Sequence, residues 1–360
     1  MRILIDIGHP AHVHLFRHFA HEMQLRGHEI LFTCRDKEFE IALLEEFGFS
    51  YKSFGKKYNS TLGKIIGLAE FGMKCLLAAI RFQPDVFLSH GSIYAAHTAF
   101  LLRKPHISLE DTFNKEQIRL YKPFTKNILT SDYDHPLKSG KVIKYAGYHE
   151  LAYLHPARFT PAKNIIHELG IGENEKYVIM RFVSWKASHD IGHKGIALRN
   201  KIKAVKEFSK YAKVLISSES EISPELKPYQ FDLSPHKMHD ALAHATLVFG
   251  ESATMVSEAT MLGVAGIYLD NTGRYYTNDL EKKYALCFNY TESDEDQQRA
   301  IEKGLELLET PNIKQEWQTR REKMLSYKID VTAFLVWFIE NYPASARIMK
   351  ENPSYQERFR

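Results

Sequence analysis

Short apolar runs rich in β-branched residues alternate with amphipathic helical segments along nearly all of the chain. The first elements show the pattern: Ile3–Ile7 is apolar, apolar residues then recur three or four positions apart from Val13 to Leu25, and Ile30–Thr33 is a second apolar run. A strand, a helix and a strand within about 30 residues predict a βαβ unit with a parallel sheet. The alternation therefore indicates an α/β fold.

The predicted strands fall into two series. They are residues 3–7, 30–33, 84–89, 106–109, 127–130, 141–145, 177–181, 214–217, 247–250 and 265–269. Residues 148–162 carry prolines and histidines with little periodicity, so we expect a linker there. A single core rarely grows beyond about 250–300 residues, and this chain has 360. We expect two Rossmann-like doubly wound domains, 1–160 and 161–335, facing across a cleft, with a C-terminal helix and tail at 336–360 as a candidate to pack back on the first domain.

The composition argues against several classes of protein. Cys34, Cys75 and Cys287 are the only cysteines and lie far apart, which argues against a disulfide framework or a zinc site and fits a reducing compartment. The formal net charge of +4 is spread along the chain and gives no reason to expect a nucleic-acid partner. The sequence lacks a run of about 20 apolar residues and begins directly with a strand, so we expect a cytoplasmic protein without a membrane span or signal peptide.

Functional residues are expected in the loops after the predicted strands, because open parallel sheets bind ligands beyond the carboxyl ends of their strands. The first such loop is Gly8–His14. Gly8 permits a tight turn beside a helix N-terminus and is a candidate nucleotide-sugar-binding residue. His12 is a candidate general base because an imidazole titrates near neutral pH. Histidines at such a turn also cap helices or pack under the loop, and this alternative stays open for each of them.

A second loop, after strand 106–109, carries two adjacent carboxylates. Glu110 and Asp111 suit acid–base catalysis at a strand end. An aspartate at this position equally suits the start of a helix, where its side chain accepts a backbone N–H. The sequence alone does not choose between these interpretations.

The loop after strand 177–181 is a candidate to bind a nucleoside diphosphate. Arg181 ends that strand and offers a cation for the phosphates. Ser184 and His189 follow in the same loop, and Glu219 follows strand 214–217. We include these four residues among the candidate nucleotide-sugar-binding residues.

The most informative loop opens a helix after strand 247–250. Its candidate binding residues are Gly250, Glu251, Ser252, Ala253, Thr254 and Met255. Small side chains let phosphates reach backbone N–H groups at a helix N-terminus, where the helix dipole favours negative charge. Glu258, one turn further on, is a candidate acceptor for both ribose hydroxyls. The alternative is an ordinary capped helix, since small residues are common at strand-to-helix turns.

These motifs resemble those of a known fold family. Gly8–Val13 followed by Leu25–Glu29 is similar to the opening of MurG-type glycosyltransferases, which have the GT-B fold. Phe249–Ala259 resembles the nucleotide-sugar loop of that fold, which the non-hydrolysing UDP-N-acetylglucosamine 2-epimerases share. The resemblance to DUF354, a family grouped with GT-B proteins, covers nearly the whole chain. It is carried by Gly8–Val13, Tyr145–Glu150, Ser188–Asp190 and Gly250–Met255.

The resemblance implies a metal-independent glycosyltransferase that uses a nucleotide-diphosphate sugar, expected to be UDP-linked. Its acceptor would be an unidentified sugar or lipid-linked molecule of cell-surface polysaccharide or glycolipid synthesis. No bound cofactor is expected, because GT-B enzymes stabilise the departing diphosphate with helix N-termini and basic side chains. His12 is the expected base, with Asp111 and Glu110 as further catalytic candidates. The alternatives are a nucleotide-sugar 2-epimerase using Glu110, Asp111 and His189, and a non-catalytic nucleotide-sugar binding subunit.

The segment Lys56–Phe82 joins several lysines to an apolar helical face. One interpretation is a helix packed on the core with a solvated basic side. The other is a peripheral contact with the inner face of a membrane, where a lipid-linked acceptor would lie.

Overall fold

The computed structural model describes residues 1–56, 61–172, 174–184 and 193–360, without the side chains of residues 61–66. The chain divides into two compact units, Met1–Arg158 with Lys328–Arg360, and Phe159–Tyr327. The first break falls two residues before the predicted boundary at 160. The chain returns to the first unit at Lys328, whereas the sequence-based division begins the C-terminal segment at residue 336.

Strands and helices alternate in both units, as the sequence predicts. The strands are β1 (Arg2–Asp6), β2 (Glu29–Asp36), β3 (Tyr51–Lys56), β4 (Val86–His90), β5 (His106–Leu109), β6 (Asn127–Ser131), β7 (Val142–Tyr145), β8 (Tyr177–Phe182), β9 (Lys213–Ser218), β10 (Leu247–Gly250), β11 (Ala265–Leu269) and β12 (Cys287–Tyr290). The helices are α1 (Pro10–Leu25), α2 (Glu40–Glu46), α3 (Thr61–Phe82), α4 (Ile93–Leu101), α5 (Lys115–Tyr121), α6 (Leu151–Leu154), α7 (Ile165–Glu168), α8 (Leu198–Phe208), α9 (Met238–His244), α10 (Ala253–Met261), α11 (Tyr275–Tyr284), α12 (Asp294–Glu309), α13 (Ile313–Leu325), α14 (Val331–Glu340) and α15 (Ala344–Glu351). Short 3-10 helices span Lys122–Phe124, Lys227–Tyr229, Pro235–Lys237 and Pro353–Phe359.

The first unit is built on a parallel sheet in the order β3-β2-β1-β4-β5-β6-β7. The apolar, β-branched run at Ile3, Leu4 and Ile5 is fully buried at its centre, as expected for a parallel strand covered on both faces. Strand order reverses between β1 and β4. In such sheets the crevice beyond the carboxyl ends at that reversal is the usual place for a ligand.

The returning C-terminal segment completes the first unit. The N–H of Ile329 donates to the carbonyl of Ala146 at 2.9 Å, and the Thr332 hydroxyl donates to the carbonyl of Ala152 at 2.6 Å. The prediction of a linker beginning at residue 148 is therefore wrong in its first part. Tyr148–Leu154 is buried because the returning α14 packs against α6 and α1.

The second unit has a smaller parallel sheet in the order β12-β11-β10-β8-β9. Its order reverses between β8 and β10, so the same rule points to the loops after these two strands. The predicted loops at Arg181 and Gly250 are those loops. Sequence and topology thus point to the same two loops as the candidate ligand site of this unit.

Helix α3 has both a buried and an exposed apolar face. Phe71 and Ala79 are buried, whereas Met73, Leu77 and Ile80 are 56%, 50% and 51% exposed and follow one another along the opposite side. Among the described residues, none of the helices has the length and apolar character needed to cross a bilayer.

Candidate functional site

The carboxyl edge of the first sheet brings together four side chains capable of acid–base or ligand chemistry. His12 lies in the first turn of α1, His90 ends β4, Asp111 lies two residues beyond β5, and His149 follows β7. Two of them stand on either side of the crevice between β1 and β4. We refer to these four residues as the first-unit cluster.

Asp111 connects two histidines of the first-unit cluster. Nε2 of His90 lies 2.9 Å from Oδ1 of Asp111, and Nδ1 of His149 lies 2.9 Å from Oδ2. An ionised carboxylate only accepts hydrogen bonds, so each imidazole donates an N–H to it. The side chains of His90, Asp111 and His149 are only 9%, 18% and 7% exposed, which shields these interactions from water.

His12 lies against His90 and also shapes the first loop. The two ring centroids are 4.5 Å apart. The N–H of Gly8 donates to Nδ1 of His12 at 3.2 Å. A neutral imidazole that accepts at Nδ1 carries its hydrogen on Nε2. The role of His12 as catalytic base stays a prediction. To accept a proton, Nδ1 would first have to give up the hydrogen bond that it accepts from the N–H of Gly8.

The N-terminus of α1 is occupied by its own residues. Nδ1 of His9 accepts the N–H of Ala11 at 3.1 Å, and Pro10 has no N–H to offer. The N–H of Gly8 is already directed at His12. The first turn of α1 is therefore poorly suited to hold phosphates, and this arrangement gives no support to Gly8 as a nucleotide-sugar-binding residue.

The charges of the first-unit cluster stabilise one another. Burial opposes ionisation of Asp111, but the imidazoles of His149 and His90 outweigh it and hold its pKa well below the usual value. Burial also opposes protonation of His90, but Asp111 outweighs it and raises the pKa of His90. Burial, followed by the neighbouring His90 and His9, lowers the pKa of His12 well below its usual value. At a pH at which His90 is protonated, His12 is therefore still neutral.

Glu110 secures the loop after β5. Its Oε1 accepts the N–H groups of Thr112 and Phe113 and the Thr112 hydroxyl, and its Oε2 accepts the Tyr121 hydroxyl at 2.6 Å. These four donors occupy both oxygens of the buried carboxylate, which holds the loop in place. These hydrogen bonds favour the structural interpretation over the catalytic one.

A buried ion pair lies next to Gly8. Arg35 donates to Oδ2 of Asp6 at 3.1 Å and to the carbonyl of Ile7 at 2.9 Å. The Ser92 hydroxyl donates to the same carboxylate oxygen at 2.6 Å. A Cβ at position 8 would come within 2.6 Å of Nη2 of Arg35, so a larger residue would displace the guanidinium from these contacts. The ion pair thus accounts for the glycine in this loop.

The second unit presents a different helix N-terminus at its own crevice. A Cβ on Gly250 would lie 2.1 Å from the carbonyl oxygen of Arg181, and Gly250 has a φ of +149°, so only glycine fits there. Ser252 accepts the N–H of Met255 at 3.3 Å. In the described part of the chain, the N–H groups of Ser252, Ala253 and Thr254 have no acceptor. The start of α10 therefore offers unused donors in the positive end of the helix dipole.

Three further predicted binding residues lie together near β8. Arg181 donates to Oε1 of Glu219 at 2.8 Å and to the Ser217 hydroxyl at 2.7 Å. The N–H of Ser184 donates to Oε2 of Glu219 at 3.2 Å. A diphosphate would have to compete with Glu219 for the guanidinium of Arg181. His189, predicted in the same loop, lies outside the described residues.

Glu251 anchors the two ends of the segment that follows β8. Its Oε2 accepts the N–H of Val183 at 2.9 Å, and its Oε1 accepts the N–H of Ile196 at 2.6 Å. Nζ of Lys201 lies 3.2 Å from the same Oε1. The carboxylate is buried, so these bonds describe a positioning role for Glu251 rather than direct contact with a ligand.

Glu258 pairs with a histidine that the sequence did not single out. Its Oε1 lies 3.0 Å from Nε2 of His239 in α9, and the two side chains are 6% and 3% exposed. The predicted ribose contact would therefore form at a carboxylate that His239 already orients.

Sequence reasoning also missed functional candidates. His90 directly follows the predicted strand 84–89 and was not among the candidates, and His149 enters only within the family motif Tyr145–Glu150. In the second unit, Nδ1 of His193 lies 2.5 Å from Oε1 of Glu292, and the N–H of Gly195 donates to Oε2 of Glu292 at 2.9 Å. A polar residue at a strand end was the available signal for His90. The family motif was the available signal for His149, and nothing comparable marks His193.

Two doubly wound units with parallel sheets define a GT-B-like α/β fold, and solved structures agree. The S. aureus MnaA–UDP structure superposes with a TM-score of 0.69 at 14% identity, covering 95% of this chain and 96% of that one. The UDP-GlcNAc 2-epimerase from Neisseria meningitidis bound to UDP-GlcNAc gives 0.66 at 17%, covering 88% and 94%. The Streptomyces sp. SF2575 glycosyltransferase SsfS6 gives 0.61 at 11%, covering 95% and 100%. At these identities the likeness establishes the fold alone.

The chain belongs to the family described as "Protein of unknown function (DUF354)", which matches residues 1–308. The resemblance drawn from its motifs is thereby confirmed. A search of curated proteins finds no match.

Proposed function

We propose that the protein is a glycosyltransferase that moves a sugar from a nucleoside-diphosphate donor to an acceptor hydroxyl. The expected donor is a UDP-linked sugar. The observation that carries this proposal is the contrast between the two crevices. In the second unit, N–H groups at the start of α10 have no acceptor among the described residues. In the first unit, two imidazoles accept backbone N–H groups at the start of α1, and titratable side chains lie together at the carboxyl edge of the sheet. Nucleotide binding is assigned to the second unit and proton transfer to the first.

The donor-side assignment follows from the charge of the leaving group. The diphosphate gains negative charge as the glycosidic bond breaks, and pre-oriented N–H groups at a helix N-terminus stabilise that charge. Ser252, Ala253 and Thr254 supply such groups directly after Gly250. Glu258, on the same helix, is the proposed acceptor for the ribose hydroxyls. Solved structures with this fold have been determined with UDP and with UDP-GlcNAc.

The acceptor-side assignment rests on the first-unit cluster. A hydroxyl becomes a nucleophile when a neighbouring group takes its proton. His12 is the proposed group, and His90, held by Asp111, lies beside it. The product would belong to cell-surface polysaccharide or glycolipid synthesis, where hydroxyl-bearing sugars or lipid-linked sugars are the acceptors.

An epimerase is the second candidate, because several solved structures with this fold are UDP-GlcNAc 2-epimerases. The carboxylates assigned to that reaction from the sequence are Glu110 and Asp111. Glu110 accepts four hydrogen bonds from the loop around it, and both oxygens of Asp111 face imidazoles. Neither is available to abstract a carbon-bound proton without breaking these contacts, which favours the transferase.

An assay with UDP-GlcNAc and a panel of other nucleotide-sugars tests the proposal. Release of the nucleoside diphosphate that depends on an added acceptor supports a glycosyltransferase. A change in sugar stereochemistry, or UDP release without an acceptor, would instead support the epimerase. Binding without turnover across the whole donor and acceptor panel would indicate a binding subunit.

Replacing Glu258 by glutamine is expected to weaken UDP binding by roughly 1–3 kcal/mol, because a neutral amide accepts ribose hydroxyls less strongly than a carboxylate. Isothermal titration with UDP measures this difference. Glu302, an exposed glutamate of α12, provides the matched control, and Glu302→Gln should bind UDP normally. Equal affinities for folded Glu258→Gln and the unchanged chain would contradict the ribose assignment.

The exposed apolar face of α3 leads to a prediction about the acceptor. Met73, Leu77 and Ile80 are about half exposed, and Arg81 and Arg103 at the ends of α3 and α4 are also exposed. We expect flotation with vesicles that contain phosphatidylglycerol at low salt, since apolar burial and cationic attraction act together, and less flotation as salt rises.

A triple serine variant at these three α3 positions should lose flotation, whereas Leu198→Ser, which alters a 51% exposed leucine of the second unit, should not. Recovery of all the unchanged protein in the lower fraction at low salt would exclude a membrane-bound acceptor route through α3.

A further inference from the structure

Three ligand-forming side chains of the first-unit cluster converge on one point. His90, Asp111 and His149 each offer one ligand atom, and these atoms all lie within 4.8 Å of one another. The residues come from the ends of β4, β5 and β7. Two imidazole nitrogens and one carboxylate oxygen are a ligand set that Zn²⁺ and neighbouring transition-metal ions favour.

We propose that His90, Asp111 and His149 form a binding site for a divalent transition-metal ion, with Zn²⁺ as the best fit. The resemblance to GT-B enzymes implies no metal, so this site goes beyond the proposed glycosyltransferase activity and does not depend on it. Three protein ligands leave at least one coordination position open, as in catalytic rather than structural zinc sites.

The distances suit such an ion. With metal–ligand bonds of 2.0–2.1 Å, two ligand atoms on a tetrahedral ion lie about 3.3 Å apart. Nε2 of His90 and Nδ1 of His149 lie 2.9 Å from different oxygens of Asp111, and one ligand atom from each residue lies within 4.8 Å of the other two. Small side-chain movements would bring the three ligand atoms to the spacing that the ion requires. The rings of His90 and His149 meet edge to face at 78°, so they approach Asp111 from different directions.

Charge and burial also favour a cation. The cluster contains one carboxylate and two imidazoles, and the three side chains are largely removed from water. The free-energy cost of removing the water shell of a cation is offset only where such ligands replace the water. A divalent ion would replace the two imidazole N–H groups as the partner of Asp111.

Direct binding of Co²⁺ to the tag-free, chelator-treated full chain tests the site. Visible d–d absorption should appear and saturate at one Co²⁺ per chain, and Zn²⁺ should remove it. The informative variants are His90→Gln and His149→Asn. Each keeps an amide N–H directed at Asp111 while removing the imidazole nitrogen, so each preserves a simple hydrogen-bond network but not a metal site.

Each of these variants should bind Co²⁺ about 100-fold more weakly or worse. His97→Gln is the control, because His97 of α4 lies outside the cluster, with Nε2 3.0 Å from the carbonyl of Leu120 and its ring against Phe124. Circular dichroism shows whether each variant is folded. Absence of stoichiometric Co²⁺ binding by the unchanged, folded chain would overturn the proposal, as would binding that survives in both His90→Gln and His149→Asn. UDP binding, which is assigned to the second unit, tests the proposed function separately, because it does not involve these three residues.

Discussion

Replacing Asp111 by asparagine is expected to lower glycosyl transfer by on the order of 10³–10⁴-fold while leaving UDP affinity unchanged. The carboxylate accepts an N–H from both His90 and His149. An amide accepts at its oxygen but presents N–H groups on the other side, so one imidazole loses its partner and its tautomer changes. His90, one of these imidazoles, lies against the proposed base His12, and losses of up to this order follow when an amide replaces a carboxylate that orients an active-site imidazole. Acceptor-dependent UDP release under saturating donor measures the effect.

The control for this prediction is Asp134→Asn. Asp134 is almost fully exposed and pairs only loosely with Lys138, at 3.4 Å, so its replacement should leave turnover unchanged. If Asp111→Asn folds normally and turns over at the control rate, Asp111 has no part in catalysis. A parallel fall in UDP affinity would contradict the assignment of nucleotide binding to the second unit.

Replacing His12 by alanine is expected to lower turnover by about 10²–10⁴-fold, the usual contribution of general-base catalysis. UDP binding should not change, because the donor is assigned to the other unit. Single-turnover measurements separate the chemical step from binding. Near-normal turnover in His12→Ala, together with loss in Asp111→Asn, would move the base to the loop after β5.

A second substitution separates chemistry from loop shape. In His12→Asn, the amide oxygen can take the place of Nδ1 and accept the N–H of Gly8, which His12 accepts at 3.2 Å. This variant keeps the loop but has no imidazole nitrogen that can take the proton of the acceptor hydroxyl. We expect its turnover to be as low as that of His12→Ala. Recovery of normal turnover in His12→Asn would assign His12 a structural role, and proton transfer would then have to be sought at other groups of the first-unit cluster.

Much of the fold could be predicted because local pattern and burial coincide in central parallel strands. Ile3–Ile5 and Val178–Met180 are apolar runs buried on both faces, and such runs stand out in any sequence. Strands β3 and β12 were missed because each buries only one residue. In β3 only Phe54 is buried, and in β12 only Cys287, so neither shows a continuous apolar run.

The candidate loops could be located for a related reason. Parallel strands direct their carboxyl ends to one edge, so residues placed after strands are collected there whatever the details of packing. Roles were harder to assign. Glu110 and Asp111 are adjacent in sequence, yet Glu110 binds the N–H groups of its own loop and Asp111 binds two distant imidazoles. Which way a side chain turns depends on neighbours that the local sequence does not contain.

The sequence by itself determined the α/β class, the parallel sheets and the loops at their carboxyl ends, because periodicity and turn residues act over a few positions. Only the tertiary structure decided that His90 and His149, which lie 21 and 38 residues from Asp111, share its carboxylate. It also decided that residues 148–154 are core rather than linker, since their cover comes from α14, far along the chain. Strand order brings such residues together, and strand order is set by long-range packing that no local pattern encodes.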